Sequence, residues 1–270
     1  MLPQKIIAID IDGTLYDDQD HFDILRFNKD YQALIKRNIL MVVATGNSYD
    51  AVQSIFKDCP IDTFVAENGG RVVINGKDVI NHVHSKSTLD KLNAFLDKQD
   101  YQPDLFSLSG SSVTFIGEQF KTVPVPFYPH HKYFSSLDQI DEPIYNVNLN
   151  WFKQRPKLNQ IHQVIKEINH AFPKELQATY SGAFGIDILP KGVNKAIGLR
   201  ELVQHFPGLT LKDVVSFGDT SNDLEMIQES GIGFAMKNAT ADLKRVADKI
   251  TIKDNNHDGL LNEIERQFLN

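Results

Sequence analysis

The sequence predicts an α/β fold in which a doubly wound parallel sheet is interrupted by an inserted α+β domain. Short apolar, β-branched runs such as Ile6–Ile9 and Val214–Phe217 have the length and composition of buried parallel strands. Each run is followed by a glycine-containing acidic turn, and the second turn leads into the helical pattern Leu224–Ile227. Strands that alternate with helices near both ends of a chain indicate one parallel sheet built from two separated segments.

The first segment is expected to contain three strands, two intervening helices and a hairpin. The first strand is Ile6–Ile9 and a second apolar run is Leu40–Ala44. In the hairpin, Val72–Ile74 and Val79–Ile80 flank the dipeptide Asn75-Gly76. Asn-Gly between two apolar runs is a strong signal for a tight two-residue turn.

The middle of the chain has a mixed pattern that predicts an α+β insert. Three prolines make Pro124–His131 a loop, since proline breaks both helices and central strands. The other predicted elements, in chain order, are a helix from Ser85 to about Lys98, strands near Ser112–Ile116 and Ile144–Leu149, a helix over Lys157–Ala171, and strands Gln177–Tyr180 and Phe184–Leu189. From Val193 the alternation of helix and strand resumes. We therefore expect a discontinuous core, residues 1–81 and 189–270, and an inserted cap, residues 82–188.

Composition limits the classes of partner. The 270 residues carry a net charge of −7, which disfavours nucleic acid or an anionic membrane as the main partner. The single Cys59 excludes an intramolecular disulfide and fits a reducing cytoplasm. The sequence has no leader pattern and no apolar run of about 18 residues, the length that predicts a membrane span. We expect a cytoplasmic protein, a monomer or weak homo-oligomer, acting on a small molecule.

The turn after the first strand, Asp10-Ile11-Asp12-Gly13-Thr14, carries two carboxylates. Residues two apart on a strand face the same way, so Asp10 and Asp12 should project together from its carboxyl end. Ligands of open α/β sheets bind at that edge. Two carboxylates held close together repel each other unless a cation or a shared proton relieves the charge.

A second acidic turn, Gly218-Asp219-Thr220-Ser221-Asn222-Asp223, follows the later strand. Capping of the next helix would explain its carboxylates alone. Two acidic strand ends in one sheet instead predict an oxygen-rich site. Such a site suits Mg²⁺, which takes one or two carboxylates together with water and substrate phosphate.

These two turns resemble the first and fourth motifs of the haloacid dehalogenase superfamily of phosphatases. Four further segments match that family in the expected order, and the last two named here are typical of its Cof-type branch. They are Leu40–Gly46 for the second motif, Ile186–Lys195 for the third, Glu67–Gly70 and Ala235–Ala239. The resemblance covers the whole chain, including a long insert between the second and third motifs. It implies a Rossmann-like core with a C2-type cap.

The resemblance implies a Mg²⁺-dependent phosphatase that works through an aspartyl-phosphate, with sugar phosphates as the leading substrate class. Asp10 would be the nucleophile, and Asp12 would be the general acid and then the general base. Thr45 and Lys195 would hold the phosphoryl group, and we prefer Lys195 to Lys191 on the family pattern. The expected metal ligands are Asp10, Asp12 through its backbone carbonyl, Asp219 and Asp223. The expected phosphate-binding residues are Thr45, Gly46, Lys195, Asn68, Asn222 and Asn238.

The sequence departs from the family at Asn47. Cof-type sequences commonly carry arginine directly after the Thr-Gly of the second motif, and a neutral amide cannot match the bidentate fork of arginine. The difference bears on substrate preference or on polar contacts in the cap. Candidate cap residues for the leaving group are His130, His131, Lys132, Lys153 and Arg155.

Other functions stay open on the sequence alone. A phosphomutase or phosphotransferase would use the same aspartyl-phosphate with a sugar hydroxyl as the acceptor. A receiver-like signalling module would lack both the cap and a second aspartate two residues after the first. Residues 254–265 also satisfy the calcium-loop pattern from Asp254 to Glu265, although Lys249–Ile252 before them reads as a strand rather than a helix.

Overall fold

The computed structural model of the chain describes residues 2–125, 128, 130–153, 156–181 and 185–270. The described residues fold into two compact units. Unit 1 contains the residues up to Asn47, Ile55–Ile80 and Asn194–Asn270, and unit 2 contains Ser48–Ser54 and Asn81–Val193. The insert ends at Val193, a few residues after the predicted end at residue 188. The short segment Ser48–Ser54 belongs to the same unit as the insert.

The strands and helices around unit 1 follow the predicted alternation. The strands are β1 (Lys5–Ile9), β2 (Ile39–Ala44), β3 (Phe64–Ala66), β4 (Arg71–Ile74), β5 (Lys77–Asn81), β12 (Val214–Gly218), β13 (Ile232–Ala235) and β14 (Lys249–Ile250). The helices are α1 (Ile24–Lys36), α2 (Tyr49–Ile55, mostly in unit 2), α5 (Lys195–Val203), α6 (Leu224–Glu229), α7 (Ala241–Val246) and α8 (Gly259–Ile264).

Among the described residues these strands form one sheet in the order β14-β13-β12-β1-β2-β3-β4-β5. β1 lies between β12 and β2, and it is parallel to both. The chain builds β2 and β3 on one side of β1 and later adds β12, β13 and β14 on the other. The predicted α/β class is confirmed, and the switch point between β1 and β12 is where such sheets bind ligands.

One face of this sheet packs on α5. Ile6, Val42 and Val214 are fully buried there and lie in one apolar cluster with Leu199 and Leu202 of the helix. The predicted hairpin is also present. Asn75 and Gly76 have φ values of 51° and 69°, the positive values that a tight turn between twisted strands requires.

The elements of unit 2 form an α+β arrangement. They are α3 (Lys86–Leu96), β6 (Leu105–Ser109), β7 (Thr114–Gly117), β8 (His131–Phe134), β9 (Asn146–Asn150), α4 (Leu158–Ala171), β10 (Leu176–Tyr180) and β11 (Gly185–Pro190). Among the described residues the sheet order is β10-β11-β9-β6-β7-β8. The apolar core includes Leu108, Val147, Leu149 and Ile188 of the sheet together with Ile168 of α4, all of them fully buried.

Two differences from the sequence prediction fall in unit 2. β6 was not predicted, because its five-residue sequence LFSLS is short and mixes apolar and serine positions. β8 begins at His131, inside the predicted loop. His131 follows the last proline of that loop, and pairing with β7 stabilises the extended conformation from there on. The predicted strand start at Phe184 lies outside the described residues.

Short helical turns complete the chain. They are Glu67–Gly69, Glu118–Phe120, Leu137–Gln139, Leu211–Asp213, Ser221–Asp223 and Asn255–His257, with a π-helical turn at Glu265–Leu269. In the described part of the chain, every helix falls short of the length and apolar character needed to cross a bilayer.

Candidate active site

The site lies at the carboxyl ends of β1 and β12 in unit 1. The two strands are in parallel register, with Ile9 opposite Phe217, so the residues that follow them emerge side by side. Asp10 follows β1, and its backbone N–H donates to the Phe217 carbonyl at 3.1 Å. Asp219 follows β12. The sheet topology therefore brings both predicted acidic turns to the switch point.

Lys195 is a fully buried ammonium at the start of α5. The Asn194 side chain caps this helix by accepting a hydrogen bond from the Ile197 N–H. Lys195 Nζ donates to Asp10 Oδ1 and to Asp223 Oδ1, both at 2.6 Å. Burial alone would lower the pKa of Lys195, but the charges of Asp10 and Asp223 outweigh burial and raise that pKa above its usual value. The lysine therefore stays charged between two carboxylates.

Asp223 organises the second acidic turn. Its Oδ2 accepts from the backbone N–H groups of Asp219 at 3.0 Å and Thr220 at 3.2 Å, while its Oδ1 faces Lys195. A Cβ on Gly218 would lie 2.4 Å from Asp223 Cγ, so only glycine fits beside this buried carboxylate. Asp223 thus links the turn that carries Asp219 to the buried lysine.

Three carboxylates converge here, and among the described residues Lys195 is the cation that pairs with them. Ligand oxygens of Asp10, Asp219 and Asp223 all lie within 4.8 Å of one another. Burial, followed by the charge of Asp223, raises the pKa of Asp10 well above its usual value. The same two causes raise the pKa of Asp219 to about 7. Burial and the repulsion between neighbouring carboxylates thus both disfavour the charged forms of Asp10 and Asp219.

The residues present fit a divalent cation. Asp219 Oδ1 is buried and has no hydrogen-bond partner in the described part of the chain. Gly13 leaves room for the Asp219 carboxylate, since its φ is +72° and a Cβ there would lie 2.4 Å from Asp219 Oδ2. An unpaired, buried carboxylate oxygen beside two further carboxylates is a donor set for a hard, oxygen-preferring ion such as Mg²⁺.

Asp12 lies apart from the three-carboxylate group. Its side chain is exposed, and its Oδ2 accepts a hydrogen bond of 2.8 Å from Asn47 Nδ2. Partial desolvation raises the pKa of Asp12, and the Asn47 hydrogen bond opposes that rise. Asn47 therefore donates a hydrogen bond to the predicted acid/base. It occupies the position at which Cof-type sequences commonly carry arginine. The part of Asp12 in metal binding through its carbonyl stays a prediction.

The predicted phosphate-binding loop follows β2, the neighbour of β1. Thr45 is fully buried, and its Oγ1 accepts from the Asn47 N–H at 3.1 Å. A Cβ on Gly46 would lie 3.1 Å from the Asn68 side-chain amide, so this loop and Asn68 are in close contact. Asn68 Oδ1 in turn accepts from Asn222 Nδ2 at 3.1 Å. The structure therefore brings Thr45, Gly46, Asn68 and Asn222 together, and their phosphate-binding roles stay predictions.

Asn238 contacts the first acidic turn, whereas Asn68 and Asn222 contact each other. Its Nδ2 donates to the Gly13 carbonyl at 2.7 Å, and its Oδ1 accepts from the Asn255 N–H at 3.1 Å. Asn255 Nδ2 bonds to the Tyr16 carbonyl and to Asp18 Oδ1, both at 3.1 Å. This network anchors the turn that follows Asp10 and Asp12. Sequence patterns missed Asn255, because only folding brings it to the first acidic turn.

The calcium-loop interpretation is not supported. β14 rather than a helix precedes residues 254–265, as the strand pattern predicted. Glu265, the residue that would have to chelate calcium, accepts hydrogen bonds from Arg26 at 3.0 and 2.8 Å. Asp254 pairs with His257 at 2.5 Å. Asp254 is thus paired within the loop, and Glu265 is paired with Arg26 of α1.

The remaining candidates lie in unit 2. Lys191 is exposed there, whereas Lys195 reaches the carboxylates of unit 1. His130 Nδ1 lies 2.6 Å from Asp50 Oδ1, and His131 Nδ1 lies 3.0 Å from the Tyr128 carbonyl. Lys132 and Lys153 are exposed, and Arg155 lies outside the described residues.

Comparisons with known proteins show which family the chain resembles. A family model described as haloacid dehalogenase-like hydrolase matches residues 7–264. A curated Escherichia coli (strain K12) protein, 5-amino-6-(5-phospho-D-ribitylamino)uracil phosphatase YbjI, is 34% identical over 97% of this chain and 95% of its own length. The crystal structure of SMU.1108c from Streptococcus mutans UA159 has a TM-score of 0.87 at 28% identity, covering 98% of this chain and 99% of that one.

A third comparison concerns the fold alone. The HAD subclass IIB sugar phosphatase BT4131 has a TM-score of 0.78 at 22% identity and covers 97% of this chain and 98% of its own. The fold of this chain, a doubly wound core with an inserted domain, is therefore similar to the fold of that solved structure.

Proposed function

The chain belongs to the haloacid dehalogenase-like hydrolase family and is a phosphatase, and on that premise we propose a Mg²⁺-dependent phosphatase of small phosphorylated metabolites, sugar phosphates first. One observation carries the proposal. Lys195 bridges Asp10 and Asp223 at 2.6 Å each, close to Asp219, whose Oδ1 has no hydrogen-bond partner in the described part of the chain. A carboxylate nucleophile can approach a phosphate dianion only where positive charge offsets both, and here that charge would come from Lys195 together with a cation bound by the three carboxylates.

Asp10 is the nucleophile in this proposal. One carboxylate oxygen attacks phosphorus, and a bond from Asp10 to phosphorus forms as the ester bond to the leaving oxygen breaks. The product is an aspartyl-phosphate and an alcohol whose oxygen must gain a proton. Lys195 supports this step because it holds Asp10 in a fixed position and offsets its charge.

Asp12 supplies and recovers the proton. Its raised pKa favours the protonated form that can donate to the leaving oxygen. As a carboxylate it then takes a proton from the water that attacks the aspartyl-phosphate, which releases inorganic phosphate and restores Asp10. The exposed side chain of Asp12 suits this exchange with solvent better than a buried one would.

Asp10, Asp219 and Asp223 would hold Mg²⁺ together with the Asp12 carbonyl, and the ion when bound supplies positive charge against carboxylates and phosphate. Thr45 and Gly46 follow the neighbouring strand β2 and would hold the phosphoryl oxygens with Lys195. Asn68 and Asn222 support that loop through their mutual hydrogen bond.

The substrate class rests on the relative's printed name. The E. coli protein acts on a ribitylaminouracil whose phosphate is on the ribityl chain, which is a polyol phosphate. We infer that this chain also takes phosphate esters of a sugar or sugar alcohol.

The test is phosphate release from a panel of sugar, polyol and aryl phosphates, with Mg²⁺ and with chelator. Asp10→Asn is compared with Asp242→Asn, which changes an exposed aspartate of α7. We expect Mg²⁺-dependent release that Asp10→Asn abolishes and Asp242→Asn preserves. Transfer of phosphate to an added sugar without net release would instead establish a mutase or phosphotransferase. No turnover of any ester by folded protein with Mg²⁺ would refute the proposal.

A further inference from the structure

Residues 254–259, the first half of the calcium-loop pattern, bind the chain that follows the first acidic turn. Asn255 Nδ2 donates to the Tyr16 carbonyl and to Asp18 Oδ1, both at 3.1 Å. Asn256 pairs twice with the same aspartate. Its Oδ1 accepts from the Asp18 N–H at 2.9 Å, and its Nδ2 donates to Asp18 Oδ2 at 3.0 Å. We call residues 254–259 the anchoring loop.

The anchoring loop has a fixed shape of its own. The Asp254 carbonyl accepts from the Gly259 N–H at 2.9 Å, which closes the loop. A Cβ on Gly259 would lie 2.1 Å from the Lys253 carbonyl oxygen, so only glycine fits at this position. Asp258 has a φ of 53°, in the left-handed region that non-glycine residues seldom adopt. The glycine of the calcium-loop pattern therefore closes a tight turn here, and Asn255 is held within it at 5% exposure.

Asn238 connects the anchoring loop to the acid/base. The Asn255 N–H donates to Asn238 Oδ1 at 3.1 Å, and Asn238 Nδ2 donates to the Gly13 carbonyl at 2.7 Å. Because its oxygen and its nitrogen both have a partner, the Asn238 amide is fixed in one orientation. Gly13 directly follows Asp12 in the chain. The peptide group next to the proposed acid/base is therefore held by a chain of hydrogen bonds that begins at Asn255.

The loop that carries Asn238 also holds the second acidic turn. The Met236 N–H donates to the Gly218 carbonyl at 2.9 Å, and the Thr240 N–H donates to the Asp219 carbonyl at 2.8 Å. These bonds come from backbone groups, whereas the bonds to the first turn come from asparagine side chains. Substitution of the asparagines should therefore displace the first turn and leave the second in place.

We propose that Asn255 is a positioning residue for the reaction. Together with Asn238 it holds the first acidic turn where Asp12 can deliver a proton to the leaving oxygen. The role of Asp12 rests on the proposed function, whereas the anchoring of the turn rests on the hydrogen bonds alone. Proton transfer requires the acid within hydrogen-bond reach of the leaving oxygen, so a turn that moves freely is less often in the productive geometry.

The leaving group distinguishes this role from a purely structural one. Ribitol 5-phosphate releases a strongly basic alkoxide, which needs a proton as the ester bond breaks. 4-Nitrophenyl phosphate releases a stabilised phenolate, which needs none. The ratio kcat/KM reports the steps up to release of the leaving group, so the later hydrolysis of the aspartyl-phosphate does not affect it. A loss of folded protein would lower kcat/KM equally for the two esters.

The first variant is Asn255→Ala. We expect kcat/KM to fall on the order of tenfold for ribitol 5-phosphate and less than about twofold for 4-nitrophenyl phosphate, because only the first needs a well-placed acid. Asn28→Ala is the matched control, since Asn28 of α1 also donates a long-range hydrogen bond, to the Asp58 carbonyl at 2.9 Å. The control should affect the two esters equally. An equal loss for both esters in Asn255→Ala would overturn the proposal.

Asp18→Ala tests the same contact from the other side if Asn255→Ala does not fold. It removes an exposed side chain and with it the carboxylate that accepts from Asn255 and Asn256. We expect the same preference between the esters, with a loss of about threefold for ribitol 5-phosphate. An unchanged ratio of the two kcat/KM values in Asp18→Ala would also overturn the proposal.

Amide hydrogen exchange separates a failure of this inference from a failure of the proposed function. Residues 13–18 should exchange faster in Asn255→Ala and Asp18→Ala than in the natural protein, whether or not an ester is hydrolysed. Unchanged exchange would overturn the anchoring. Faster exchange in a protein that hydrolyses neither ester would confirm the anchoring, but would overturn the proposed function and the positioning role that rests on it.

Discussion

The side-chain amide of Asn47 donates a hydrogen bond of 2.8 Å to Asp12 Oδ2. The second motif of the chain thus reaches the proposed acid/base of the first. The bond stabilises the carboxylate form of Asp12, because an amide N–H is a better partner for a charged acceptor than for a protonated acid.

Removal of this bond should move the pH dependence of turnover. In Asn47→Ala the pKa of Asp12 rises further, so the protonated acid persists to higher pH. We expect the alkaline limb of kcat/KM to shift upward by about 0.5–1 pH unit, the equivalent of one hydrogen bond. Asn93→Ala, on α3, serves as the control. A limb that stays in place, or moves to lower pH, would show that Asn47 does not set the pKa of the acid.

Lys195→Met should damage both activity and folding. The change leaves Asp10 and Asp223 buried without their shared ammonium, and breaking such an arrangement costs about 3–5 kcal/mol. Activity should fall on the order of 10²-fold or more, since a charge-stabilising donor is lost. Lys191→Met alters an exposed side chain and should stay within about 0.5 kcal/mol of the natural protein. Denaturant unfolding and phosphate release measure both, and a larger loss in Lys191→Met would reverse our choice of lysine.

Gly13→Ala should weaken metal binding more than it weakens the fold. Gly13 and Gly76 both have positive φ, +72° and +69°, so alanine costs about 1–2 kcal/mol of backbone strain at either place. Only at Gly13 would the new Cβ meet a side chain, Asp219 Oδ2 at 2.4 Å. Mg²⁺ titrations monitored by Tm should show lowered affinity in Gly13→Ala and natural affinity in Gly76→Ala. Equal affinities would exclude Asp219 as a ligand.

Stability should depend on pH and Mg²⁺ together. The pKa of Asp219 is raised from 3.8 to about 7, so between these values the folded protein binds more protons than the unfolded chain does. The free energy of unfolding of the metal-free protein should therefore fall as pH rises through this range. Mg²⁺ requires the deprotonated carboxylates, so its stabilising effect should be larger at pH 8 than at pH 5.

Thermal unfolding with Mg²⁺ and with chelator across this pH range checks that expectation. In Asp219→Asn both the pH dependence and the response to Mg²⁺ should shrink. Stabilisation by Mg²⁺ that is greater at pH 5 would contradict the linkage.

Ca²⁺ should inhibit turnover, because its looser and higher coordination suits a Mg²⁺ phosphoryl-transfer site poorly.

The local residue pattern was sufficient to predict much of the fold. β1 and β12 are short apolar runs that end in acidic glycine turns, and the Asn-Gly hairpin has its turn where the sequence places it. Such features depend on residues close in the chain, so alternation and turn chemistry reveal them. The strands β6 and β8 were missed or misplaced, because their pairing partners rather than their own residues decide them.

The sequence by itself determined that Asp10 and Asp219 lie at strand ends, since buried strands followed by acidic turns must end at one edge of a parallel sheet. Only the tertiary structure decided that Asn47 donates a hydrogen bond to Asp12. It also decided that Asn238 and Asn255 anchor the turn at Gly13, and that Arg26 donates a hydrogen bond to Glu265. Hydrogen bonds between residues far apart in the chain produce no local sequence pattern from which they could be predicted. Their pairing is set by the geometry of the folded sheet, which brings loops from both ends of the chain to one edge.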